Sequence, residues 1–129
     1  MNKSFSLVVL CLAVTMALFS CASPKQSNIL DELTNIVVQG NKSEEEDAFC
    51  KSFSMNEKQA NTFFKKSKII DAKTMHDEYD YLPCYVYGTL SYRNESCHWE
   101  IRAGGTGLIQ CPDQEYIIAC DKCDELLKD

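Results

Sequence analysis

The hydrophobic pattern changes character along the chain. An unbroken apolar run, LVVLCLAVTMALF, covers residues 7–19. Over 28–38, Ile29, Leu30, Leu33, Ile36 and Val37 recur at helical spacing. That spacing predicts a short amphipathic helix with Asn28 as N-cap and Gly40 as stop signal. Residues 54–66 show the same period. Ser54-x-x-Glu57 reads as a capping box, ahead of a helix over 55–66 with Ala60, Phe63 and Phe64 on one face and lysines opposite. The stretch 69–82 is polar and irregular, and Pro83 holds Leu82 extended.

Beyond Pro83 the period becomes two. Residues 84–92 are rich in β-branched and aromatic side chains. In 98–103, Trp99, Ile101 and Ala103 alternate with His98, Glu100 and Arg102. Two shorter strands, 108–111 and 115–119, complete the set. Turn-like segments at 93–96, 104–107 and 112–114 join them into an antiparallel meander. A four-residue loop at 93–96 sets Tyr92 opposite Cys97, Leu90 opposite Trp99, Gly88 opposite Ile101 and Val86 opposite Ala103, so the apolar sets share one face. In the next hairpin Cys97 falls opposite Cys111 and Trp99 opposite Ile109. The expected fold is α+β: one or two helices packed on a four-stranded antiparallel β-meander, stapled by disulfides. The compact domain spans 48–129, behind the acidic run Glu44-Glu45-Glu46-Asp47, which reads as solvated linker.

The first apolar run is too short to cross a bilayer, which takes about 20 residues, and it follows Lys3. It therefore reads as a secretory signal over 1–20. Two cleavage sites overlap. Ser20-Cys21-Ala22 satisfies the small-x-small rule and would release a soluble chain. Leu18-Phe19-Ser20-Cys21 resembles a bacterial lipobox, although Phe19 is bulkier than usual at its position, and would leave a fatty-acylated Cys21 as first residue. Residues 22–28 are polar and suit a tether, so 21–47 reads as anchor, tether and amphipathic helix. Ala22 in place of aspartate fits the periplasmic face of the outer membrane.

Export gives the cysteines their meaning. The chain has 129 residues and eight cysteines, and export leaves Cys50, Cys84, Cys97, Cys111, Cys120 and Cys123. Six cysteines in an oxidising space suggest three disulfides. The register favours Cys97–Cys111; Cys50–Cys84 and Cys120–Cys123 then complete one of the fifteen possible connectivities. Composition is that of an ordinary globular chain, 45% hydrophobic and 25% charged. The net charge of −6 gives nucleic-acid binding no electrostatic support and points instead to a basic protein partner.

Several features bear on chemistry. Cys120-Asp121-Lys122-Cys123 is a C-x-x-C motif between a strand and a short helix expected over 121–128. A helix N-terminus there would lower a thiol pKa, the requirement of a thiol–disulfide oxidoreductase. A structural disulfide competes with that reading, because no βαβ pattern surrounds the motif. A zinc site would need two further ligands, and only Cys97 with His98 is near. His76 lies in an acidic loop, His76-Asp77-Glu78-Tyr79-Asp80-Tyr81, without the spacing of a calcium site. No metal or cofactor is expected. Gly104-Gly105-Thr106-Gly107 precedes a strand rather than a helix and reads as a hairpin turn, not a phosphate loop. Tyr85 and Tyr87 point away from the expected core. They suit a recognition surface, unless the 28–38 helix covers them.

Phe49-Cys50, Phe63-Phe64, Tyr79-Asp80-Tyr81-Leu82-Pro83-Cys84, the tract from Trp99 to Gly107 and Cys120-Asp121-x-Cys123 together resemble a group of small exported bacterial proteins, many with lipoprotein signals. The resemblance covers about residues 48–127. It implies export and a bacterial source, and no activity is established for that group. The leading expectation is a non-enzymatic envelope lipoprotein that binds a partner, in one form as an inhibitor or immunity-type protein. The oxidoreductase using Cys120 and Cys123 and a purely structural envelope protein are the alternatives.

Overall fold

The computed structural model describes residues 27–128. The signal, Cys21 and the first part of the tether lie outside the described residues. Ten elements follow in order. A 3-10 turn at Ile29–Asp31 precedes strand β1 (Thr34–Ser43), helix α1 (Glu57–Lys66), strand β2 (Lys68–Ile70) and helix α2 (Ala72–Glu78). Strands β3 (Cys84–Tyr92), β4 (Glu95–Arg102), β5 (Thr106–Gln110) and β6 (Glu115–Ala119) come next, and a 3-10 turn at Asp124–Leu126 closes the described chain. The fold is α+β with an antiparallel sheet, and three disulfides pin it.

The sheet has six strands rather than four, in the order β1-β3-β4-β5-β6-β2. The meander β3–β6 forms its centre, and β1 and β2 extend its two edges. Both additions correct the reading of the sequence. Residues 28–38 are not an amphipathic helix. Asn28 caps only the short turn, its side chain accepting from the Leu30 amide at 3.2 Å, and Ile29 and Leu30 enter the core. From Thr34 the chain pairs with β3, with register shifts between Thr34 and Val37 and between Val38 and Gly40. The run Ile36-Val37-Val38 fits helical spacing, but its β-branched side chains favour an extended backbone once β3 offers a row of hydrogen-bonding groups. The folded unit accordingly begins ahead of residue 48. At the other edge, Lys68–Ile70 pairs with β6, and Asp71 caps α2 by accepting from the Thr74 amide at 2.7 Å, so 69–82 is not irregular throughout.

Helix α1 starts two residues later than its apparent capping box. Asn56, not Ser54, bonds the amide three residues on, and Gln59 returns the bond to Asn56, each at 2.9 Å. Phe53 and Met55 are both buried, which keeps this approach extended and moves the cap to the next polar side chain. Phe63, Phe64 and Ala60 then pack on the inner face of the sheet, where Phe64 meets Trp99 edge-on at 5.4 Å.

The β3–β4 connection is a two-residue turn, not a four-residue loop. Arg93 and Asn94 both take positive φ, 47° and 65°, the backbone that a tight hairpin turn needs. Leu90 therefore pairs with Cys97, Gly88 with Trp99 and Val86 with Ile101, a shift of two positions from the expected pairing. An even shift leaves every side chain on its expected face. Trp99 sits opposite Ile109 in the next hairpin, and the Cα atoms of the bonded Cys97 and Cys111 lie 4.4 Å apart, beside that pair. Cys50 is joined to Cys84, tying the segment before α1 to the start of β3, and Cys120 is joined to Cys123.

Candidate functional site

Helix α1 covers the inner face of the sheet. The outer face is roofed only in part, by α2 and the chain from 79 to 83 as it returns from the β2 edge to β3. Two glycines set that path. A Cβ on Gly104 would stand 2.3 Å from the Asp80 carbonyl oxygen, so only glycine lets the returning chain lie against the β4–β5 turn. Gly105, at φ 92°, supplies the left-handed residue of the same turn. This is the place of the glycine tract, and β5 follows it directly.

The outward side chains of β3 and β4 build an ordered polar-aromatic cluster. The Arg102 guanidinium lies between two tyrosine rings, 4.4 Å from the centroid of Tyr81 and 5.0 Å from that of Tyr85. It donates to Glu44 at 2.9 Å and to the Leu82 carbonyl at 3.2 Å, and it lies 3.2 Å from the Glu100 carboxylate. The Tyr81 hydroxyl donates to the same Glu44 carboxylate at 2.9 Å. Only 11% of the Arg102 side chain is exposed, and these pairings hold its fork in one orientation, although Glu44 and Tyr81 themselves remain exposed.

The charge states follow from that packing. Hydrogen bonds from Arg102 and then from Tyr81 hold the Glu44 carboxyl below its ordinary value. Burial alone would lower the Arg102 guanidinium, but the bond to Glu44 and the charge of Glu100 outweigh it and keep the group above its usual value. Burial, with the bond to Glu44 second, raises the Tyr81 phenol. Glu44 thus stays exposed, as expected of the acidic run, but it is tied to the sheet. Its partner is 58 positions away, and no local feature of the sequence connects the two.

Tyr85 and Tyr87 stand side by side on the outer face of β3, ring centroids 6.2 Å apart. The Lys42 ammonium lies 4.8 Å over the Tyr87 ring. Both tyrosines are partly exposed. The segment expected as a helical cover lies beside them in the sheet as β1, not above them.

Cys120 and Cys123 follow β6 directly, 5% and 1% exposed, and the Cys120 amide donates to the Gly105 carbonyl of the β4–β5 turn at 2.9 Å. The helix expected over 121–128 is a three-residue 3-10 turn, so no helix N-terminus faces either sulfur. Asp121, inside the motif, accepts from Lys68 at 2.6 Å and from the Tyr79 hydroxyl at 2.5 Å, joining β6 to β2 and to the end of α2. Those bonds, Lys68 first, hold its carboxyl below the ordinary value. His76 and His98 are both exposed, His76 beside Asp77 and His98 on the outer face of β4. Among the described residues no group of three or more His, Cys, Asp or Glu side chains converges as a metal site. No helix among the described residues is long and apolar enough to cross a membrane.

The chain matches no protein-family model, no curated protein and no solved structure.

Proposed function

We propose that this chain is an exported bacterial envelope protein, held at the membrane through a fatty-acylated Cys21, that binds a protein partner and catalyses no reaction. One observation carries the reading: the part of the sheet's outer face left open by α2 presents Tyr85 and Tyr87 beside a locked arginine. Tyrosines on a rigid sheet bring large contact area with little side-chain entropy to lose, the usual make-up of a recognition surface. The disulfides support it, because a scaffold that does not rearrange on binding loses less free energy to ordering. The acidic charge favours a basic partner, as in inhibitor and immunity-type proteins, by steering encounter and rejecting acidic competitors.

The test is capture from detergent-solubilised envelopes of the native host. The wild-type chain is expected to retain a basic protein that Tyr85→Ser/Tyr87→Ser does not retain, with the thermal midpoint of the variant little changed. Identical capture by both chains would remove the tyrosine face from the account. Capture of nothing by either would overturn the binding reading itself.

A further inference from the structure

Beside the tyrosine row, the partial roof encloses a cleft. It has two lobes, of about 320 and 200 Å³, which share Met75, Tyr81 and Thr106. Leu108 and Ile117, paired across β5 and β6, form the apolar floor of the smaller lobe, and Met75 of α2 faces them. The rim is acidic: Glu100 and Glu115 border the smaller lobe, and Asp80 borders the larger. Among the described residues Arg102 is the only lysine or arginine lining either lobe, and Glu44 and Glu100 already engage it. Among the described residues the carboxylate of Glu115 meets only the Gln110 amide, at 3.1 Å, and no cation.

A second feature points into the same space. Thr106 is 4% exposed and lines both lobes, and among the described residues nothing bonds its hydroxyl. An apolar trough along β5 and β6, with the Thr106 hydroxyl toward one end and the Glu115 carboxylate toward the other, complements a long aliphatic stem that ends in a positive charge.

We infer that this cleft receives a lysine side chain of the basic protein partner. The stem lies on Leu108 and Ile117 under Met75, and the ammonium is held by the Glu115 and Glu100 carboxylates. The inference rests on the binding-protein reading and gives that reading its charged anchor. The adjoining Tyr81–Arg102–Tyr85 stack ties the cleft to the tyrosine row, so one partner can cover both.

The experiment is a titration of the full, oxidised chain, labelled at its methyl groups, with acetyl-tetralysine amide. Acetyl-tetraglutamate amide and spermidine serve as comparison probes. Tetralysine is expected to shift the Met75, Leu108 and Ile117 methyl resonances, and tetraglutamate to leave them in place. Glu115→Gln keeps the side-chain shape and is expected to weaken tetralysine about threefold, the scale of one partly exposed charge pair. Thr106→Val, at the opposite end of the trough from Glu115, is expected to leave tetralysine affinity and the thermal midpoint little changed, and a loss as large as that of Glu115→Gln would overturn this orientation of the stem. Shifts that miss these methyls, or equal shifts with tetraglutamate, would overturn the inference. Spermidine binding as tightly as tetralysine would also overturn it, making the cleft a site for small amines. No native partner is needed, so failure here with successful capture from envelopes would remove the cleft alone.

Discussion

Arg102 shows how much one residue can organise. Its guanidinium joins β4 to the segment after β1 through Glu44, to the returning chain through the Leu82 carbonyl, and to two tyrosine faces. Arg102→Lys keeps the charge but loses the planar fork, and it is expected to lower stability by about 1 kcal/mol, read from urea unfolding. Acid should loosen the same cluster. Glu44 titrates below its ordinary 4.5 in the folded chain, so its stabilising contribution is present above that value and is lost as pH falls through the lower, folded value. Asp121, held down from 3.8 by Lys68 and Tyr79, acts in the same direction. The thermal midpoint is therefore expected to fall below about pH 4.5. Glu44→Gln should flatten that fall while lowering the midpoint at pH 7. An equally steep acid fall in Glu44→Gln would show that other carboxylates carry it. The outward placement of Arg102, Tyr85 and Tyr87 was legible from period two alone. The bond from Arg102 to Glu44 was not, because nothing in an acidic run distinguishes the one member that meets a distant guanidinium.

At the scale of elements, the same spacing rules favoured the right structure in one place and the wrong one in another. The helix over 57–66 follows from its apolar face, yet its start was two residues off because two polar side chains offer the same i, i+3 geometry. Asn56→Ala is expected to cost about 1 kcal/mol in chemical unfolding and Ser54→Ala close to nothing. The reverse order would return the cap to Ser54. Residues 28–38 were misread for a different reason. Isolated from a sheet, Ile36-Val37-Val38 can satisfy a helical face, and only the open edge of β3, more than 40 residues later in the chain, supplies the partner that makes them a strand. The turn at Arg93-Asn94 adds a third case. Shortening the loop from four residues to two changed every partner and no face, which is why the core side of β3 and β4 was predictable while the pairing was not.

For the whole molecule, the disulfides constrain loops of different length, with separations of 34, 14 and 3 residues. In the chain-entropy picture, replacing Cys50 and Cys84 by serine is expected to cost about 4 kcal/mol and replacing Cys97 and Cys111 about 3 kcal/mol. Denaturant midpoints of the two double variants check the order, and the opposite order would mean that native packing rather than loop closure dominates. The sequence by itself determined the class of the fold, the central meander with its inward and outward faces, and the helix that covers one of them. Those depend on local periods, and a side-chain alternation or a helical stripe is written in neighbouring residues. Only the tertiary structure decided that the meander gains a strand at each edge, that α2 roofs part of the outer face, that Glu44 reaches Arg102, and that Tyr81, Arg102 and Thr106 line one cleft. Edge pairing and ion pairing reward groups distant in sequence. Their free energy exists only once the chain has closed the loops between them, so no local pattern records it.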